Sequence, residues 1–181
     1  TFKRLILRNS SGDFLIGKMR AALLQRHCLR QGLDIDMQGV SPMAYYVNGE
    51  YWGLIFLREK VDEHFIRYNY DIDLDNLDLL EQDTLVMEGD FEHFDGVESY
   101  AISEDLSRDD RFAWIRDNVD VESMADYFIV QTLLNNSDWP RNNLKFWRER
   151  KEGAKWRYLL FDLDAAIGRF GWTSFNADGW G

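Results

Sequence analysis

Hydrophobic and polar positions along this chain follow two rhythms, one of period two and one near 3.6, and each predicts its own kind of element. Residues 2–7 alternate closely enough for a strand, and Asn9-Ser10-Ser11-Gly12 breaks it. A helix is expected next. Asp13 suits its N-cap, Ile16, Met19, Leu23 and Leu24 share a face at helical spacing, and Gly32 is its stop. Cys28 falls inside that span and reads as ordinary packing. The clearest hairpin runs over residues 43–47, turns at Asn48-Gly49 and returns over residues 50–57. Asparagine followed by glycine supplies the positive dihedrals of a type I′ turn, and the aromatic and β-branched flanks suit strands.

Residues 61–68 read as a short helix with Val61 and Phe65 one turn apart. The acidic stretch 69–92 shows no dominant period beyond a candidate strand at 84–87. Helical patterns cover about 94–106, 107–116 and 121–135, the last with Met124, Tyr127, Phe128, Gln131 and Leu134 on one side. A strand to about Glu149, a turn at Lys151-Glu152-Gly153-Ala154 and a strand over 155–161 follow. Strands first, helices later and a closing hairpin predict an α+β domain.

Composition narrows the function. With 181 residues, 45% of them hydrophobic, and seven Trp, the chain can bury a substantial core, so one folded domain or one bilobal unit is expected. The boundaries at Thr1 and Gly181 show no terminating element, and the domain is expected to be incomplete at both ends. A formal charge of −11, from 21 Lys+Arg against 32 Asp+Glu, repels nucleic acid and favours a divalent cation or a basic protein partner. One cysteine excludes an internal disulfide and a cysteine-built metal site. No apolar run reaches the ~20 residues that span a bilayer.

The chemistry concentrates near the C-terminal hairpin. Phosphoryl transfer needs an orienting carboxylate at the nucleophile and metal ligands on the triphosphate. Protein kinases place these on an Asp, an Asn five residues later, a hairpin and a second metal-binding Asp. Asp138, Asn143, the hairpin and Asp162 occur here in that order. A turn centred between Glu152 and Gly153 would set Asn143 opposite Asp162, with Cα atoms about 4.5–5.5 Å apart. Both supply hard oxygen ligands for Mg²⁺, and Asp164 would point from the same side in a continuing strand.

Together these segments resemble the CotH kinase family. The likeness is carried by Asn48-Gly49-Glu50-Tyr51-Trp52-Gly53-Leu54, by Arg58-Glu59-Lys60-Val61-Asp62, by residues 135–143, and by Trp156-Arg157 through Phe161-Asp162-Leu163-Asp164 with Gly168. It also takes in Leu7-Arg8-Asn9 with Gly12-Asp13 and Asn76-Leu77-Asp78-Leu79-Leu80-Glu81. The resemblance implies an atypical protein kinase-like fold, strand-rich over about 1–90 and helical over about 91–181, N-lobe-like and C-lobe-like, with a metal-site hairpin. It further implies ATP with Mg²⁺ or Mn²⁺, a Ser-bearing protein substrate, and a spore coat or cell-surface location. Carried onto this chain, Asp138 becomes the catalytic carboxylate, and Asn143, Asp162 and Asp164 the metal site. Lys60, with Arg58 as rival and Glu59 as a pairing carboxylate, is the candidate phosphate contact. The chain departs from ordinary kinases in having no Gly-x-Gly-x-x-Gly run, no His-Arg-Asp triplet, and Asp-Leu-Asp for Asp-Phe-Gly. Two other functions share these residues: a non-catalytic adhesion module and a metal-dependent phosphohydrolase.

Simpler readings stand beside these. Asp138 before Pro140 suits a turn cap, and Asn142 suits a turn residue. Asp71-x-Asp73-x-Asp75 imitates an EF-hand start, but Asn76 and Gln82 stand where Gly and Glu are required, so a solvated acidic loop is expected. His27, His64 and His93 lack mutual metal spacing. Tyr45, Tyr51, Trp52, Trp147 and Trp156 fall in strands, where packing is the default.

Overall fold

The computed structural model describes residues 4–82 and 84–167; Phe2 and Gly168, which entered the sequence reading, lie outside them. Helices and strands are mixed in an arrangement compatible with α+β. A three-stranded sheet is built from β1 (Leu5–Arg8), β3 (Val40–Val47) and β4 (Glu50–Glu59), in the order β1-β4-β3. The β3-β4 turn has Asn48 at φ 51° and Gly49 at φ 85°, the doubly positive backbone expected of an Asn-Gly hairpin. A bulge between Tyr45 and Tyr46 leaves Trp52 unpaired, and Gly53 (φ 113°) supplies the kink. The tip departs from expectation: Tyr46, Tyr51 and Trp52 are all exposed. Among the described residues no element covers that end of the hairpin, and the Tyr46 and Tyr51 rings pack on each other, centroids 5.4 Å apart.

The second sheet has five strands in the order β2-β8-β7-β5-β6. Its members are β2 (Asp36–Met37), β5 (Leu77–Glu81), β6 (Leu85–Glu88), β7 (Lys145–Glu149) and β8 (Arg157–Leu160). All pairings are antiparallel except β2 with β8. Interior strand β5, between β7 and β6, lies in the acidic stretch that gave no clear period. Leu77, Asp78, Leu79 and Leu80 are all buried, so the strand has core on both faces and no polar-apolar alternation to read. Asp78 survives there because Arg148 (3.4 Å) and Arg150 (2.6 Å) hold its carboxylate. Asp71, Asp73 and Asp75 form helix-end turns: Asp71 is a left-handed C-cap, and Asp73 accepts the Asp75 N–H.

The first helix, α1 (Arg20–Arg30), begins later than expected and buries a different face. Positive φ at Ser10, Ser11 and Lys18 keeps the chain before it in turns. Asp13 caps from a distance, accepting the N–H groups of Gly17 (3.2 Å) and Arg20 (3.0 Å). Small Ala21 and Ala22, with Gln25 and Cys28, face inward, while Ile16, Met19 and Leu23 stay exposed. Then follow α2 (Glu63–Tyr70), capped by Asp62, α3 (Glu92–Ser103), α4 (Asp109–Asn118) and α5 (Val121–Leu133). On α5, Tyr127 and Gln131 are fully buried and Phe128 packs against Trp139, as the periodicity predicts. Trp147 and Trp156 are core residues of the second sheet, and Cys28 is buried and unpaired.

The β7-β8 hairpin carries one correction. Its register pairs Lys145 with Leu159 and Phe146 with Tyr158, one residue off the predicted alignment. Extended to its end, that ladder would set Asn143 against Phe161 rather than Asp162. The ladder in fact stops at Lys145, and Asn143 turns away at φ 62°. The predicted cross-strand pairing of Asn143 with Asp162 therefore does not form.

Gly89 (φ 77°) sits against the buried Asp78: an added Cβ would lie 2.1 Å from Asp78 Oδ1 and 2.6 Å from the Leu77 carbonyl oxygen. Gly89→Ala is expected to cost more than about 1 kcal/mol and lower the thermal midpoint by at least about 2–4 °C. Thermal unfolding followed by circular dichroism checks it, and an unchanged midpoint would refute the assignment.

Candidate active site

Three stretches of chain converge at one end of the second sheet. The first is the loop after α5. Asn136 is buried and donates from Nδ2 to Gln131 Oε1 (2.9 Å) and to the Asp162 carbonyl (3.0 Å), so it ties the helix end to the carboxylate-bearing segment. Ser137 Oγ donates to the Ala165 carbonyl at 3.1 Å. The loop then turns, with Asn142 N–H on the Asp138 carbonyl at 2.8 Å. Gln82, at the exit of β5, holds it from the other side. Its backbone N–H meets the Leu144 carbonyl at 2.8 Å, and its Nε2 reaches the Arg141 carbonyl (3.2 Å) and Asn142 Oδ1 (3.3 Å).

The second stretch is the segment after β8, where Asp162 Oδ1 accepts the Asp164 N–H at 3.3 Å. The third is the turn after β1, whose Gly12 N–H donates to Asp164 Oδ2 at 2.8 Å. Between them lies an open cleft of about 360 Å³. Asp138, Asn142, Asn143, Asp162 and Asp164 line it, together with Ser11, Gly12, Glu81 and Gln82. All four residues expected to carry catalysis and metal binding thus share one cleft. Loop geometry gathers them, not a hairpin ladder.

The cations around the cleft come from β1 and β4. Arg8 Nη2 donates to Asp162 Oδ2 at 2.6 Å and lies 4.0 Å from Asp164 Oδ2. Arg58 pairs with Ile6, two residues from Arg8, so both arginines project from one face of the sheet. Arg58 is only 2% exposed. Among the described residues its Nε and Nη1 find no hydrogen-bond acceptor. Burial first, then the Arg8 charge, pushes its pKa below the ordinary arginine value, and Asp162 and Asp164 push it back up.

Lys60 and Glu59 are placed elsewhere. Lys60 is 45% exposed at its side chain and pairs with Asp62 at 3.5 Å, while Glu59 accepts the Gly39 N–H at 2.6 Å. A small separate hollow, shared with Arg4 and His64, holds both. Of the basic candidates, the structure brings Arg58 to the carboxylates.

Sequence reasoning gave no role to Arg8, nor to the buried Lys145. Lys145 Nζ sits 3.2 Å from Glu81 Oε2, donates to the Val61 carbonyl (3.3 Å) and lies 5.0 Å from the Phe161 ring centre. It joins the strand after Asn143 to the residue before Asp162. The available signal was a lone lysine in the otherwise apolar Leu144-Lys145-Phe146-Trp147 run.

A family model described as CotH kinase protein matches residues 1–179. The chain belongs to the CotH kinase family. No curated protein matches it. Membership supports a kinase-like enzyme, and within this CotH kinase domain the Asp138-to-Asp164 cleft is the candidate seat of that chemistry. No helix among the described residues is long and apolar enough to cross a membrane.

Proposed function

We propose that this chain is a metal- and ATP-dependent protein kinase that transfers the γ-phosphoryl group to serine or threonine hydroxyls of a protein substrate. One observation carries the reading: Asp138, Asn143, Asp162 and Asp164, drawn from separate segments, line a single cleft, and the charge of the buried Arg58, whose Nε and Nη1 are unpaired among the described residues, acts on two of them. Residues 1–181 are read as one kinase-like domain, N-lobe-like over about 1–90 and C-lobe-like over about 91–181.

The residues fit the implied cofactors. Asp162, Asp164 and the Asn143 amide form a set of hard oxygen donors. Among the described residues no group of three or more His, Cys, Asp or Glu side chains forms a metal cage. Two carboxylates that leave further positions to phosphate oxygens suit Mg²⁺ or Mn²⁺. The metal would neutralise charge on the triphosphate. Arg58 offers its unpaired donors to phosphate oxygens, where charge-assisted bonds are strong. Asp138 orients the substrate hydroxyl and takes its proton. As the hydroxyl oxygen bonds to the γ-phosphorus, the bond from that phosphorus to the β,γ-bridging oxygen breaks and ADP departs.

The test is incubation with Mn²⁺, labelled ATP and Ser-rich protein substrates. Asp162→Asn is expected to weaken Mn²⁺-dependent nucleotide binding about tenfold or more and to reduce labelling accordingly. Release of free phosphate without protein labelling would instead make the site a phosphohydrolase. Absence of any nucleotide effect, with a protein bound at the exposed Tyr46, Tyr51 and Trp52, would make the chain an adhesion module.

A further inference from the structure

Arg8 and Arg58 set positive charge against two of the cleft's carboxylates, Asp162 and Asp164, while Asp138 and Glu81 line the same cleft. Arg8 already holds Asp162 Oδ2 at 2.6 Å and stands 4.0 Å from Asp164 Oδ2. A divalent cation approaching alone meets two carboxylates whose attraction these arginines offset in part. To reach Asp162 Oδ2 it must also displace a charge-assisted hydrogen bond. A cation arriving on a polyphosphate faces a different exchange. Asp162 gives up Arg8 for the metal, and Arg8 gives up Asp162 for a phosphate oxygen. No charged group then loses a partner, so burial costs are not left uncompensated.

The position of Arg8 suits that exchange. It ends β1, with its backbone fixed opposite Phe56 of β4, and its side chain is 27% exposed. Unlike Arg58, it has room to turn. The next residues lead into the turn whose Gly12 N–H holds Asp164, so the strand end, the turn and both carboxylates form one contiguous unit.

Building on the kinase reading of this cleft, we propose that Arg8 is a specificity residue that makes the site accept a metal–polyphosphate unit and reject the free metal. It does so by holding Asp162 until a phosphate takes its place.

The experiment measures two affinities on the full chain. Mn²⁺ alone is titrated by electron paramagnetic resonance of the free ion. Mn²⁺ with a non-hydrolysable ATP analogue is followed by calorimetry. In Arg8→Ala, free Mn²⁺ is expected to bind about fivefold or more tighter, while the Mn²⁺–analogue complex binds about tenfold weaker. Arg8→Gln, which keeps a donor without the charge, is expected to move both affinities the same way by less. A merely structural arginine would weaken both together. If free Mn²⁺ binds Arg8→Ala no tighter than wild type, or if both variants fail to fold, the proposal is overturned. If wild type binds the complex while the ratio of affinities is unchanged in the variants, only the role of Arg8 fails. If wild type binds neither form, the kinase reading fails and this inference with it.

Discussion

Asp138→Asn is expected to reduce protein phosphorylation by about 10²–10⁴-fold, the usual contribution of a positioned general base. The substitution is nearly isosteric, and the bond that shapes the loop uses the Asp138 carbonyl, which accepts the Asn142 N–H and is untouched. Thermal stability should therefore stay close to that of the wild type. Binding of the Mn²⁺–nucleotide complex should persist as well, because the proposed ligands are Asn143, Asp162 and Asp164. That separates this variant from Asp162→Asn, in which binding and transfer fall together. Single-turnover transfer at saturating nucleotide checks it. A rate within a few-fold of wild type would remove Asp138 from the mechanism.

Much of the fold was legible because local chemistry and tertiary packing agree over most of the chain. The Asn48-Gly49 hairpin, helices α2 to α5 and the closing hairpin follow from turn residues and periodicity. Legibility failed where a residue type had two environments available. Strand β5 carries Asp78 in its middle, and Arg148 and Arg150, about seventy positions away, together with the Asp90 N–H at 3.2 Å, make that burial tolerable. Nothing local announces such a partner. The start of α1 failed for a related reason. Asp13 does cap, but across a turn with positive φ at Lys18, so the helix begins at Arg20.

At the cleft, order along the chain was a better guide than register. The succession Asp138, Asn143, Asp162, Asp164 did identify side chains that meet. The inferred ladder was off by one, since the β7-β8 turn is not centred between Glu152 and Gly153. What brings the residues together is the capture of Asp162 and Ala165 carbonyls by Asn136 and Ser137. Both belong to the Asn-Asn-Ser run that reads from sequence only as a helix end. The basic half was least legible, because position after a strand does not say which face a side chain takes. Arg58, inside the strand, faces the acids, whereas Lys60, just past its end, turns to Asp62.

Arg58→Met is expected to move stability and ligand binding in opposite directions. A guanidinium 2% exposed, with Nε and Nη1 lacking acceptors among the described residues, is a cost to the folded state. Burial lowers its pKa and the neighbouring Arg8 adds to that, so only the attraction of Asp162 and Asp164 opposes the cost. Methionine fills similar volume without donors, and replacing buried charges by apolar groups is often neutral or stabilising by about 1–4 kcal/mol. Arg8 remains on Asp162, so the carboxylates are not stranded. The thermal midpoint should accordingly hold or rise. Affinity for the Mn²⁺–ATP analogue should fall about 10–100-fold, the loss of one or two charge-assisted bonds. Arg58→Lys keeps the charge without the planar fork and should fall between. A lower midpoint with unchanged nucleotide affinity would make Arg58 a structural cation and return the phosphate contact to another residue. The opposite pair of results would explain why the fold retains a buried arginine with open donors, since the ligand supplies the acceptors that the protein withholds.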